Sequence, residues 1–423
     1  MPRVHINAGD TAWVLGATAL VFFMMPGLAA FYGGLVGARN VIGTMAQSFV
    51  AIGLVSVTWV VVGYSLVFGP DHGGVIGGLN FAMLHDVGAT PSALAPTIPA
   101  LLFMAFQMKF AVITPALIAG AVAERMRFSA YLLFVTLWSL LIYCPLAHWV
   151  WGGGWLGAGW LHAIDFAGGS VVHASAGAAA LAAAVYVGRR HTPWADSNNI
   201  PLVLMGAGIL WFGWFGFNAG SALSANGVAT YALVNTQLGA SVAMLAWMGA
   251  EWAHRRRPSG VGLAAGAVAG LAAITPAAGY VQPWAAILIG LAAGLVCYFA
   301  VQLKSRFRYD DSLDVVGVHL VGGALGVLLT GVFASLLVNA AGAQGGLTQL
   351  GRQGLLDLVA IGFPFVGTLL LLELTDRLVG VRVTDSEETA GLDLSQHGEV
   401  AYHDDLNGDV TAAEAGAAPT NEG

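Results

Sequence analysis

The sequence predicts an all-α integral membrane protein of about eleven transmembrane helices, inverted five-helix repeats followed by a final long helix. Three observations predict it. Of 423 residues, 57% are hydrophobic and only 9% charged, against about 25% charged in soluble domains. Mean hydropathy is +0.75, more apolar surface than an aqueous protein can hide. The apolar residues fall into runs long enough, or nearly so, to cross a hydrocarbon core of about 30 Å. Finally, the basic residues collect on alternate loops, as they do when a chain threads a bilayer repeatedly.

In chain order the apolar runs are 12–33, 42–69, 97–122, 130–149, 165–187, 200–220, 229–253, 261–277, 283–303, 314–338 and 355–380. The eighth is the shortest and is interrupted by Pro276. Arg39 follows the first run, Arg125 and Arg127 the third, and Arg189 and Arg190 the fifth. Arg255, Arg256 and Arg257 follow the seventh, Lys304, Arg306 and Arg308 the ninth, and Arg377 and Arg382 close the last. The intervening loops hold only Arg3 and Arg352. Positive loops stay in the cytoplasm, which predicts a multi-pass protein of the cell membrane with its N-terminus outside and C-terminus inside. Residues 1–383 form the membrane domain and 384–423 an acidic cytoplasmic tail. After Arg382 there are ten acidic residues and no Lys or Arg, which leaves 16 basic against 13 acidic residues in the remainder. From about Asp404 the tail is aromatic-free and expected to be disordered. Cys144 and Cys297 lie in apolar runs and read as small buried hydrophobes. Residues 111–115 and 272–276 share the pattern A-x-I-T-P, and Asp165/His173 in run five has a counterpart, Asp314/His319, in run ten. Five-helix units of opposite orientation follow, the plan of many transporters.

The stretch Asp165 to Gly177, D-F-A-G-G-S-V-V-H-A-S-A-G, is where chemistry is expected. Its small residues, Ala167 to Gly169 among them, permit close helix packing in lipid. An ionisable side chain inside such a run is costly and marks a functional site. Counted from the run starts, His173 lies roughly 12 Å deep from one face and His319 roughly 7–8 Å from the other. A gap of about 10 Å remains across the core, for helix tilt or an indented helix start to close. Neutral imidazoles offer one donor and one acceptor nitrogen each, so two in contact suit a small species that both donates and accepts. Trp149, Trp151, Trp155 and Trp160 precede Asp165, Phe106 and Phe110 share one face of run three, and Trp211, Trp214 and Phe217 recur along run six, which ends at Ser221. An interfacial belt or core stripe explains many of these aromatics. Aromatic faces above buried histidines also suit capture of a small cation. Asp165 stands where a helix N-cap belongs, and capping outranks direct substrate contact for it. Lys109 either snorkels or pairs with a carboxylate. Two histidines without further ligands at metal spacing make a poor zinc site, so no metal, no cofactor and no enzyme activity are expected.

The same residues resemble the ammonium transporter/methylammonium permease/Rhesus family, on its ammonium transporter branch. The 165–177 stretch matches the signature of that family. Pro26–Gly34, Phe106–Phe110, Ala121–Met126, Trp151–Gly154, Gly213–Ser221 and Asp314–His319 support it, in order, over about residues 8 to 403. The resemblance implies a homotrimer with one pore per subunit. It implies an outer ammonium-binding site of Phe110, Trp151 and Ser221 shaped by Asp165, a gate of Phe110 and Phe217, and pore histidines His173 and His319. Phe106, Trp214 and Ala167 would support them. The tail segment Gly391–Tyr402 resembles the family's tail motif, which contacts the inner loops and, in many bacterial members, a PII-type nitrogen-signalling protein. Its charge complements the inner arginines Arg39, Arg125, Arg189 and Arg255 to Arg257.

The expected function is therefore ammonium transport for nitrogen uptake: capture at an aromatic outer site, deprotonation, and passage of ammonia through a hydrophobic pore lined by twin histidines. Methylammonium is a second candidate substrate, and no nucleic-acid partner is expected. A bare cation at mid-bilayer costs at least about 2.5–3.5 kcal/mol, and potassium, unlike ammonium, has no proton to give up. The alternatives are an ammonium sensor with little flux and a passive ammonia gas channel.

Overall fold

A computed structural model of the chain describes residues 5–191 and 196–402. The expectation of disorder from Asp404 lies outside the described residues. Ten helices among them are long and apolar enough to cross a membrane: α1 (Ala8–Leu35), α2 (Val41–Phe68), α3 (Ala100–Val122), α4 (Phe128–Gly159), α5 (Gly169–Val187), α6 (Ile200–Gly220), α7 (Gly227–Arg255), α9 (Pro283–Phe307), α10 (Val316–Phe333) and α11 (Leu347–Val379). The eighth expected segment is the short apolar helix α8 (Gly260–Ile274), which stops just before Thr275 and Pro276. Proline lacks the N–H to continue the helix. A short antiparallel hairpin, β1 (Asp71–His72) and β2 (Ile76–Gly77), sits between α2 and α3.

α5 is the most enclosed span, with 83% of its most apolar stretch buried. It packs against α3, α10 and α11, and its alanines and glycines leave no side chain large enough to hold those helices apart. Large apolar side chains such as Phe212, Phe299 and Leu358 are more than half exposed on the outer helices, as a lipid-facing surface requires.

Arg125 organises the arginine-rich face. It is 0% exposed and donates to the carbonyls of Ala121, Ala123, Gly188 and Asp310 and to Ser312 Oγ. Its neighbour Arg190 pairs with Glu124 and Asp310. The tail continues on this face with α12 (Asp385–Ala390), begun by a Thr384/Glu387 capping box. Asp393 Oδ1 then accepts the Gly43 N–H at 2.8 Å, and Leu392 N–H donates to Asn40 Oδ1 at 2.8 Å. The tail thus caps α2, whose own N-cap Asn40 makes no side-chain cap bond.

The arginines that meet the tail's carboxylates differ from those expected. Arg382 pairs with Glu388 at 2.8 Å, Arg127 with Glu387 at 4.0 Å, and His191 with Asp385 at 2.8 Å. Arg125 and Arg189 are taken up by backbone carbonyls, and Arg255 by Glu251. Arg39 contributes its backbone, accepting the Asp393 N–H at 3.0 Å.

Candidate functional site

α5 and α10 both begin below the surface. Asp165 is 5% and Asp311 1% exposed, so the chain is already buried where each helix starts, at Gly169 and Val316. Both starts are one-turn π-helical segments that contain the histidine. This indentation closes the gap left by counting depth from the run starts. His173 Nδ1 and His319 Nδ1 lie 3.2 Å apart, with the rings stacked at 5.2 Å and 20°.

Two glycines make that approach possible. A Cβ on Gly177 would lie 2.3 Å from Leu320 N, and one on Gly323 2.9 Å from His173 Cβ and 2.8 Å from Ala174 N. Each glycine follows one histidine by four residues and meets the residue after the other, so the crossing is two-fold symmetric.

The symmetry also corrects the repeat. The counterpart of Asp165 is Asp311, not Asp314. Asp165 Oδ2 accepts the N–H of Ser170 at 2.8 Å, and Asp311 Oδ2 accepts that of Val316 at 2.7 Å. Both carboxylates thus bond five residues ahead, and both precede their histidine by eight. Asp314 instead adopts a left-handed φ of 62° and pairs with Lys304. Burial pushes the Asp311 carboxyl up to about 6, opposed by Lys304 and reinforced by Asp314.

Asp165 is the cap the sequence predicts. Oδ1 accepts the N–H of Gly168 and Gly169, both at 2.8 Å, and Oδ2 accepts Ser170 N–H, Ser170 O–H and Val171 N–H. Gly168 supplies the left-handed turn at φ 114° that only glycine adopts freely. Ala167, 1% exposed, lies in the same turn. The carbonyl of Asp165 accepts Trp151 Nε1–H at 2.9 Å, which fixes the indole over the site.

Beneath Trp151 the rings form a column. Trp151 meets Phe110 edge-on at 6.0 Å, Phe110 faces Phe217 at 4.3 Å, and Phe217 lies 6.1 Å from His173. Phe106 packs against Phe110 at 5.1 Å. Trp214 stacks on His173 at 5.3 Å and donates to Thr275 Oγ1 at 2.9 Å. Ser221, just past α6, donates to the Phe217 carbonyl at 2.8 Å. Trp151, Phe106, Phe110, Phe217, Trp214 and the two histidines thus form one continuous chain of ring contacts. Lys109 does not join them: its ammonium lies over the Phe22 ring at 5.3 Å.

Between Phe217 and His319 lies a cavity of about 10 Å³ lined by Leu28, Ile113, Leu210, Trp214, Val268 and both histidines, among others. That is room for about one water-sized molecule. It adjoins His319's other side, where a cavity of about 140 Å³ opens among Ser197, Ser312 and Asp314. At the opposite end a cavity of about 450 Å³ is bounded by Trp151, Asp165, Tyr280 and Arg352. The cavities at the two ends are thus far larger than the one at the histidines.

One nitrogen must donate and the other accept in the Nδ1···Nδ1 contact. For two neutral rings, one Nε2 is then an acceptor and the other a donor. His173 Nε2 is buried with no protein partner among the described residues, so it is available to a guest in the narrow cavity.

Comparison with known proteins identifies the architecture. A profile described as Ammonium Transporter Family matches residues 12–402. The chain belongs to that family. It is 48% identical over 409 residues to an ammonium transporter of Bacillus subtilis (strain 168), covering 95% of this chain and 100% of that one. It is 46% identical over 402 residues to Ammonium transporter Amt1 of Archaeoglobus fulgidus, covering 94% and 100%. The crystal structure of Candida albicans Mep2 superposes with a TM-score of 0.87 at 37% identity, over 95% of this chain and 92% of that one. A structure described as Sensor Amt Protein does so with a TM-score of 0.86 at 31% identity, over 94% and 100%. The protein is thus a multi-pass membrane transporter of ammonium, and transport is not an enzyme class.

The sequence left four features unread. They are the Asp311 cap, the Gly177/Gly323 crossing, the Trp214–Thr275 bond, and the ion pair between fully buried His148 and Asp71 at 2.9 Å. The Asp311 cap was within reach of a stricter repeat comparison, since Asp165 and Asp311 stand at equal distance from their histidines.

Proposed function

We propose that the chain captures ammonium at Phe110, Trp151 and Ser221, deprotonates it at the Phe110/Phe217 gate, and passes ammonia along His173 and His319. The observation that carries this reading is the unbroken ring column ending in a one-molecule cavity faced by an unpartnered imidazole nitrogen. Aromatic faces attract the cation as it enters. Asp165, whose carboxylate is fully occupied by donors, holds Trp151 in place and adds a favourable field. Below the gate the apolar walls disfavour any charge, while one donor and one acceptor nitrogen match ammonia's own lone pair and N–H groups. Potassium meets no ring of carbonyls to replace its hydration shell and is refused.

The protein works as a homotrimer in the cell membrane, with the arginine-rich face and the tail in the cytoplasm, and serves nitrogen uptake. Residues 1–383 are the transporting unit and 384–423 the regulatory tail. Its docked position over α2 is where a PII-type protein would act on the pore. One relative's description as a sensor keeps a second reading in view, binding with little flux.

The test is ammonium uptake by proteoliposomes carrying Trp151→Leu. Losing a desolvated cation–π contact of about 2 kcal/mol raises the half-saturating concentration roughly 30-fold. An unchanged half-saturation would remove Trp151 from the capture site. Ammonium binding without uptake by the unaltered protein would favour the sensor.

A further inference from the structure

α11 carries a polar file, Gln349, Gln353 and Asp357, spaced four residues apart on one face. Gln349 Nε2 donates to the His162 carbonyl at 3.3 Å and to Gln353 Oε1 at 3.2 Å. Gln353 grips the residue before Asp165 by both backbone groups: Oε1 accepts Ile164 N–H at 2.9 Å and Nε2 donates to the Ile164 carbonyl at 2.7 Å. Asp357 lies one turn further in. It is 6% exposed, and neither of its oxygens has a hydrogen-bond partner. Among the described residues it is the only buried acid of which that is true. Asp165, by contrast, meets five N–H and O–H donors with its two oxygens.

Among the described residues, the elements packed against α11 bring no cation into hydrogen-bonding contact with Asp357. α10 carries no titratable side chain beyond His319, in its first turn; α5 carries His173 and, at the far end, Tyr186, which bonds to Glu373. The part of α4 against α11 carries Tyr131, Tyr143 and, beside Trp149, which packs on Phe363 at 4.7 Å, His148; both ring nitrogens of His148 are engaged, by the Val67 carbonyl and by Asp71. Gln353, one turn before Asp357, holds the residue before Asp165 by both backbone groups and so ties the two carboxyls to one region. An isolated carboxylate at this depth costs several kcal/mol or more and neutralises instead, and two carboxyls in one apolar region do not both ionise.

We propose that Asp357 is a buried proton-binding site of this transporter, holding a proton at rest and releasing it when a cation docks beside Asp165. The step is a plain acid dissociation. The Asp357 O–H breaks, its proton passes to water, and the docked cation balances the carboxylate left behind. The ammonium keeps all its own protons in this step. The second half of the proposal rests on the reading of the Trp151/Asp165 region as the docking place for ammonium.

The experiment uses the purified full chain with ammonium chloride as probe and potassium chloride as control. Infrared spectra at pH 7 show a protonated-carboxyl C=O band that Asp357→Asn removes. In unbuffered solution with a pH dye, ammonium releases a proton per chain from the unaltered protein, potassium releases none, and Asp357→Asn releases none. Asparagine is close in shape to the neutral acid, so the variant keeps its thermal stability. Should it fail to fold, titrating the band in the unaltered protein decides the first half alone: no protonated-carboxyl band at pH 7 overturns the proposal. Calorimetric ammonium binding without proton release overturns the coupling while leaving ammonium capture intact. No ammonium binding at all overturns the capture reading instead.

Discussion

Gly177→Ala places a methyl carbon 2.3 Å from Leu320 N and 2.6 Å from Leu320 Cα, both backbone atoms that cannot rotate away. Ordinary contact begins near 3.4 Å, so α5 and the start of α10 must part by about 1 Å. The Nδ1···Nδ1 contact, now 3.2 Å, would lengthen to about 4 Å, outside hydrogen-bonding range. Overpacking costs about 1–3 kcal/mol, and the lost hydrogen bond about 1 kcal/mol more. With an unfolding entropy of about 2.1 cal/mol/K per residue, a chain of this length loses roughly 2–4 °C in Tm. Gly208→Ala in α6 is the control, since nothing lies within 4 Å of its Cβ position. Thermal unfolding in detergent and ammonium uptake in liposomes are measured on both variants. We expect Gly177→Ala to unfold earlier and to transport at least tenfold more slowly, with Gly208→Ala unaffected in transport. Full transport in Gly177→Ala would show that the pore does not depend on this spacing of the histidines.

Two further predictions concern the faces of the protein. Asp393→Ala removes the tail's cap on α2, a change worth about 1 kcal/mol, and should speed amide exchange in residues 392–402 without altering that of α8. Exchange left unchanged would mean the apolar contacts of the tail suffice. On the hairpin side, the hydrogen bond from His148 holds the Asp71 carboxyl below the usual carboxylate range. A depressed acid stabilises above its unfolded pKa and loses that contribution as pH falls through the folded value. The hairpin 71–77 should therefore open to pepsin as pH drops below about 4, and Asp71→Asn should leave it more open at higher pH and flatten that dependence. A variant that matches the unaltered protein at every pH would deny the pair any role in fastening the hairpin.

What the sequence made legible follows from which interactions dominate. Span number, order and the basic face are set by composition over about twenty residues, so they survived intact; only α8 fell short, where Pro276 cuts it. The ring column was legible because aromatic and histidine positions within helices fix their faces. The repeat was misaligned at Asp314 because an Asp near a helix start reads as a cap, whereas the bonding distance of five residues selects Asp311. The tail's partners were misread for a related reason. Charge complementarity nominates arginines, but Arg125 and Arg189 satisfy backbone carbonyls that buried loops would otherwise leave unpaired. Of the two readings of Lys109, snorkelling or a carboxylate partner, the second does not hold: its ammonium lies over the Phe22 ring, and no spacing in the sequence records that. The lack of a partner at Asp357 is a property of its neighbours in space, and no local pattern records it.

The most direct test of the account is current on a solid-supported membrane. Liposomes of the unaltered protein and of a His173→Leu/His319→Leu double variant are given an ammonium step and then a potassium step. The account predicts a transient current with ammonium and none with potassium in the unaltered protein, and a response lost or no longer selective in the double variant. Ammonium transport at full rate and full selectivity without either histidine would contradict it.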